Sequence, residues 1–148
     1  VRKMKKILEY DRIIGIDGSK TMIKKAKQTD QIGEYYCENI KKHSFKKQYD
    51  FVHSMEVLYY LKKPQDFIKN VYDNWLKKKG IFILGIDHYQ ENKESIGWPK
   101  ECGVYMNTKT KEEWIESLKD IGFVNVKSWQ VCKKENWQGT LVIMGSKK

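Results

Sequence analysis

Two periodicities alternate along the chain. Met4, Ile7 and Leu8 recur at helical spacing and predict the tail of a helix over residues 3–10. Residues 12–17 are a short, β-branched apolar run bounded by Gly18, which reads as a buried parallel strand. Ser19 is placed to cap a short helix whose apolar face is Met22, Ile23 and Ala26. Residues 34–37 form a weaker strand candidate and residues 49–54 a better one. Pro64 suits a first helical turn, and Phe67, Ile68, Val71, Tyr72, Trp75 and Leu76 make an apolar stripe that Gly80 is expected to end. Residues 81–85 are the next buried strand. Residues 87–107 show no period and contain Gly97, Pro99 and Gly103, which predicts a long loop of the kind that serves as a lid or binding loop.

The last third opens on Thr110 and Glu113 at capping-box spacing. Trp114, Ile115, Leu118 and Ile121 then mark a buried helical face that Gly122 closes. Residues 123–129 alternate as a strand and residues 140–144 form the final one; no helix separates the two, so they are expected to pair antiparallel. Strand and helix alternate until that pair. The fold class is therefore α/β, with a mostly parallel sheet and a reversed C-terminal strand at its edge.

Composition excludes several alternatives. The chain has 148 residues, 40% of them hydrophobic, with 10 glycines and 2 prolines, which excludes disordered, collagen-like and linker sequences. Mean hydropathy is −0.72, and the longest apolar run, residues 81–86, is far short of the roughly 20 residues of a membrane span. Three cysteines, Cys37, Cys102 and Cys132, lie far apart, with neither disulfide nor metal-knuckle spacing. They suit a reducing, cytoplasmic setting, and no metal site is expected.

The net charge of +10 invites a nucleic-acid reading. Only Arg2 and Arg12 are arginine, however, so 27 of the 29 basic residues are lysine. Phosphate clamps and guanine readout favour the bidentate arginine fork. The lysines are also scattered in short runs that suit solvated helix faces and loops. Solvation is the favoured reading and a nucleic-acid partner the lesser one.

In open α/β sheets ligands bind beyond the carboxyl ends of the strands. Those ends carry Asp17-Gly18-Ser19, Cys37-Glu38-Asn39-Ile40, His53-Ser54-Met55-Glu56 and Asp87-His88-Tyr89. A carboxylate at Asp17 suits a ribose diol, because it can accept from both hydroxyls; the plain alternative is a helix cap or turn residue.

At this point the sequence resembles a family. The stretch IIGIDGSKTMIKKAK is similar to the segment after the glycine-rich motif in class I S-adenosylmethionine-dependent methyltransferases. YCENIKKHSFKKQYDFVHSMEVLYYL resembles their next two elements, DFIKNVYDNWLKKKGIFIL the helix and strand after those, and KEEWIESLKDIGFVNVKSW with GTLVIMG the closing helix and hairpin. The resemblance implies a Rossmann-like sheet and S-adenosyl-L-methionine as cofactor. It implies cofactor contacts at Asp17, Gly18 and Ser19. Asn39 stands where the family usually has an aspartate beside the adenine amino group, and Ile40 would meet adenine through its backbone amide. Ser54 and Met55 would line the methionine end.

One departure stands out: no glycine-rich turn precedes Asp17, and the chain opens Val1-Arg2-Lys3. The expectation is a partial class I methyltransferase domain over residues 1–148, truncated at the N-terminus and lacking its first, central strand, over a degenerate form that lost the motif. The strand at Ile13 and the strand at Val52 should then pair directly or stay separated, with no other strand seated between them.

Methyl transfer needs a positioned, desolvated nucleophile and, where that nucleophile carries a proton, a base. The catalytic candidates are Glu56, Tyr59, His88 and Tyr89, with Tyr60 beside them and Glu91, Trp98 and Tyr105 in the long loop. Glu56 or Glu91 could meet a substrate amine; Tyr59 and Tyr60 could instead simply pack, and His88 could be structural. His53, inside a strand, is expected to be a satisfied core histidine. The substrate is expected to be a small molecule. The rival readings are an NAD-dependent oxidoreductase of related fold and a non-catalytic basic module that binds RNA or protein.

Overall fold

The computed structural model describes residues 12–41, 43, 45 and 47–148, so the helix expected over 3–10 lies outside the described residues. The chain divides into two compact units, Val1–Ser44 and Phe45–Lys148.

In the first unit β1 (Ile14–Asp17) and β2 (Glu34–Cys37) pair in parallel, from Ile14 opposite Glu34 to Asp17 opposite Cys37. Between them runs α1 (Lys20–Thr29), whose cap is Ser19: its hydroxyl accepts from the Met22 N–H at 3.3 Å. Ile23 is buried, but Met22 is 54% exposed and not part of a buried face. Met22 lies about 100° round the helix from Ile23, outside the narrow stripe a single small sheet can cover. After α1 the Asp30 carboxylate turns the chain, accepting from the N–H groups of Ile32 and Gly33 and from the Tyr35 hydroxyl. The Tyr35 ring lies where a Cβ on Gly15 or Gly33 would stand, so both positions need glycine.

The second unit is a four-stranded sheet in the order β3-β4-β6-β5. Its strands are β3 (Tyr49–Met55), β4 (Leu76–Ile86), β5 (Val124–Val131) and β6 (Thr140–Ser146). β3 and β4 are parallel, and β6 runs antiparallel to both β4 and β5. The reversal falls on the C-terminal strand as expected. That strand sits inside the sheet, however, and β5 takes the edge. Burial accounts for the order: Leu141, Val142 and Ile143 of β6 are all buried, whereas β5 alternates half-buried and exposed positions. Within its own unit β1 pairs with β2, and within the other β3 pairs with β4, at one end of the four-strand order.

The helices α2 (Pro64–Asn70), α3 (Trp98–Glu101) and α4 (Lys111–Lys119) belong to this unit. The expected stripe on α2 is present, with Phe67, Ile68, Val71, Trp75 and Leu76 buried and Tyr72 half-buried. Gly80 does not end the helix. The last turn widens to a π-type turn over Val71–Trp75, and the backbone becomes extended at Leu76. Leaving there puts the Leu76 side chain into the core, fully buried. Gly80 instead serves a tight turn after Lys79, which has a φ of 62°, and a Cβ on Gly80 would meet the Lys77 carbonyl at 2.8 Å.

Residues 87–107 are not one open loop. They contain a short 3-10 turn, Lys93–Ser95, and α3, and His88, Tyr89, Asn92 and Ser95 are buried. His53 is exposed rather than in the core. Among the described residues no helix is long and apolar enough to cross a membrane.

The capping box forms as read. The Thr110 hydroxyl accepts from the Glu113 N–H at 3.1 Å, and the Glu113 carboxylate accepts from the Thr110 N–H at 2.7 Å. It fixes the start of the helix that buries Trp114 and Leu118. Thr110→Ala is expected to cost about 1 kcal/mol of stability, with Thr110→Ser near wild type, as read by denaturant unfolding.

Candidate functional site

The first unit presents a polar turn at the carboxyl end of β1. Asp17 is exposed, and its Oδ1 accepts from the Ser19 N–H at 2.7 Å. That bond turns the chain into α1 through Gly18 and Ser19, and among the described residues the second carboxylate oxygen makes no hydrogen bond. A free carboxylate oxygen at a strand end fits the ribose diol that the resemblance implies for Asp17. Asn39, after β2, makes a similar turn: its Oδ1 accepts from the Lys41 N–H at 3.0 Å. Among the described residues the amide nitrogen of Asn39 makes no hydrogen bond and its oxygen makes only this one, and Ile40 beside it is half-buried. The donor and acceptor set on this unit therefore fits an adenosine group.

The second unit brings together the carboxyl ends of β3 and β4. Their register runs from Phe51 opposite Ile81 to Met55 opposite Gly85. Ser54 is buried, while Met55 is 43% exposed and lays its sulfur over Gly85, in space a Cβ there would fill. The next residue, Glu56, has a φ of 55°, an uncommon value for a residue with a side chain. Its N–H donates to the Gly85 carbonyl at 2.9 Å, which holds this left-handed turn against β4.

That turn folds the Glu56 carboxyl inward. Its Oε2 accepts from the Tyr59 hydroxyl at 2.9 Å and from the Asp87 N–H at 3.2 Å. Among the described residues its Oε1 is buried without a hydrogen-bond partner, as is Oδ1 of Asp87. Burial is the main cause that raises the Glu56 pKa to about 7, and the Asp87 charge adds to it; the bonds from Tyr59 and Asp87 oppose it. A carboxyl titrating near neutrality at the ends of parallel strands can take or give a proton under ordinary conditions.

Tyr59 is itself buried, on the 3-10 turn Leu58–Tyr60. Burial pushes its phenol pKa up, with the Tyr60 hydroxyl and the Glu56 charge adding to the shift, so it serves Glu56 as a donor. Tyr60 is 48% exposed, its ring 4.5 Å from that of Tyr59.

The other two catalytic candidates occupy different surroundings. His88 is fully buried; its Nδ1 lies 2.9 Å from the Ser95 carbonyl and its Nε2 2.7 Å from the Thr108 hydroxyl. Burial lowers its pKa, which leaves a neutral ring donating to Ser95 and accepting from Thr108. The Tyr89 hydroxyl, also fully buried, donates to the Gly139 carbonyl at 3.0 Å and accepts from Gln130 at 2.7 Å. Both side chains have their polar atoms engaged within the protein and hold residues 87–109 in place. In the same segment the Glu91 carboxylate accepts from the Lys111 N–H at the start of α4. Trp98 stacks between His88 and Trp137, and Tyr105 is exposed.

Asp87 is the residue that sequence reasoning noted at a strand end without giving it a role. The signal available was its place directly after the apolar run 81–86. Among the described residues no group of three or more His, Cys, Asp or Glu is arranged to hold a metal ion.

Comparison with known proteins bears on the family. No curated protein matches the sequence. Solved structures do match in fold. The protein that partners the Haloferax volcanii Trm112 methyltransferase activator superposes with a TM-score of 0.84 at 22% identity, over 98% of this chain and 75% of that one. A Thermotoga maritima S-adenosylmethionine-dependent methyltransferase, described as a possible histamine N-methyltransferase, gives 0.78 at 22% identity, over 99% and 77%. The N-methyltransferase NodS of Bradyrhizobium japonicum, in complex with S-adenosyl-L-homocysteine, gives 0.66 at 19% identity, over 92% and 66%. The family model described as a methyltransferase domain matches residues 2–84. With more than half of the sequence matched to that model, and the strand order and strand-end residues as described, the chain belongs to the methyltransferase-domain family and is of the class I, S-adenosylmethionine-dependent type.

Proposed function

We propose that this protein transfers a methyl group from S-adenosylmethionine to the nitrogen of a small amine. The observation that carries the reading is the Glu56 carboxyl, buried at the end of β3, raised to about 7 and left with one oxygen unpartnered. A buried acceptor without a donor costs free energy in the protein alone. An amine brings the N–H groups that both Glu56 Oε1 and Asp87 Oδ1 lack. Two of the fold neighbours carry N-methyltransferase in their descriptions, which agrees with nitrogen as the accepting atom.

The bound cofactor supplies an electrophilic methyl group on a sulfonium. The residues of this chain do the rest. Asp17 would hold the ribose hydroxyls with its free oxygen, and Asn39 and Ile40 the adenine edge; Gly18 and Ser19 shape the turn that aims Asp17. Glu56 orients the amine and takes its proton. At a pKa near 7 it is a stronger base than an ordinary glutamate, yet still partly ionised at neutral pH. His88 and Tyr89 contribute by fixing the segment that begins at Asp87.

Asp17→Asn keeps an oxygen for the Ser19 N–H but removes the charge. Its Kd for S-adenosylmethionine, measured by isothermal titration calorimetry, is expected to rise about 10-fold, the scale of one charge-assisted hydrogen bond.

Glu56→Gln is expected to lower methyl transfer to a small amine about 100-fold or more, measured with isotope-labelled cofactor, and to leave cofactor Kd unchanged. Transfer at the wild-type rate would remove Glu56 from the reaction.

The same variant has a second signature. The folded carboxyl titrates near 7 and an ordinary one at 4.5, so folding binds a proton between these values. The wild-type protein therefore loses stability as pH rises from 4.5 through 7, by about 2 kcal/mol once screening of a partly exposed side chain is allowed for. Thermal unfolding should show Glu56→Gln gaining on wild type at pH 8 relative to pH 4.

A further inference from the structure

We infer that Tyr59 is the positioning residue that reserves a single oxygen of Glu56, Oε1, for the proton of the methyl acceptor. The inference rests on the amine-methylating reading above and extends it from the carboxyl group to one atom and one supporting side chain.

The two oxygens of Glu56 are not equivalent. Both donors that reach the carboxyl, the Tyr59 hydroxyl and the Asp87 N–H, arrive at Oε2. Oε1 receives none. A carboxylate engaged by two donors on one oxygen keeps its more available lone pairs on the other. A proton placed on Oε2 would have to displace one of those donors, so protonation goes to Oε1. The donors also come from two segments, the turn after β3 and the residue after β4, and together they fix the plane of the group.

Tyr59 is held so that it cannot trade roles. It is 3% exposed, with its ring between Tyr60 at 4.5 Å and His88 at 5.7 Å. Its carbonyl accepts from the Asn107 N–H at 2.6 Å, which ties the far end of residues 87–107 to the same turn. His88, bonded at both ring nitrogens, forms a wall that does not rotate. Burial keeps the Tyr59 phenol protonated, so its hydroxyl stays a donor throughout. The proton step is then balanced without any further group. The N–H bond of the acceptor breaks, a lone pair on Oε1 forms the O–H bond, and ionisation of Oε1 to solvent restores the carboxylate.

The test is a carbon-13 NMR titration of the glutamate carboxyls, with Glu56 assigned by its absence in Glu56→Gln. The expected midpoint is near 7 in wild type. In Tyr59→Phe it is expected about one pH unit higher, the scale of a lost hydrogen bond to a charged group. The acid limb of kcat/KM for the amine should move by the same amount, with KM for the cofactor unchanged. Equal midpoints in the two proteins overturn the positioning role. Should Tyr59→Phe fail to fold, the wild-type Tyr59 ring carbon bearing the hydroxyl serves instead. It should titrate with the Glu56 midpoint, and a flat response overturns the proposal. A shifted midpoint alongside unimpaired transfer by Glu56→Gln overturns the proton role together with the amine reading, leaving only the hydrogen bond.

Discussion

The parallel ladder between β3 and β4 is the constraint on which the second unit's chemistry depends. Its regular stretch ends with Met55 opposite Gly85, so the chain leaves both strands at one level and sends Glu56 and Asp87 into one space. The close of the ladder needs two local exceptions. Gly85 lacks the side chain that would collide with the Met55 sulfur, and Glu56 takes a left-handed turn that returns its N–H to the Gly85 carbonyl. β6 on the other side of β4 keeps that strand rigid. The candidate site thus stands on a sheet interior, with its polar side chains on the first residue after each strand, Glu56 after β3 and Asp87 after β4.

A buried carboxyl is an unfavourable thing to build, and its surroundings compensate only in part. Tyr59 and the Asp87 N–H satisfy one oxygen, while the Asp87 charge and the lost hydration push the other way. The remaining imbalance is what makes Glu56 basic near neutral pH. In the proposed reaction, stability and reactivity oppose each other in the same atoms.

Much of the element order was legible because burial writes itself into periodicity. The β6 segment is a continuous apolar run, the pattern of a strand covered on both faces, and β5 alternates, the pattern of an edge. Those two patterns already held the true order of the last two strands; the reading that put the reversed strand at the edge followed chain order instead. The capping box and the Ser19 cap were legible because they are local. Gly80 misled for a local reason as well: three lysines and a glycine look like a helix end, and nothing in the spacing shows that Leu76 is drawn into the core four residues earlier. Of the candidate site, Glu56, Tyr59 and Asp17 were visible as polar residues at or just after strand ends. That His88 is satisfied at both nitrogens depends on Ser95 and on Thr108, 20 residues away, which no local pattern reveals. The unpartnered oxygen of Asp87 was invisible for the same reason.

Everything proposed for the second unit turns on Oε1 of Glu56 meeting the nitrogen that receives the methyl group. A crystal structure of the protein with S-adenosylhomocysteine and a small amine decides that point. The amine nitrogen is expected within hydrogen-bond distance of Oε1, about 2.6–3.2 Å, with Tyr59 still donating to Oε2. An amine bound elsewhere, with Oε1 covered by a donor from the protein itself, would contradict it.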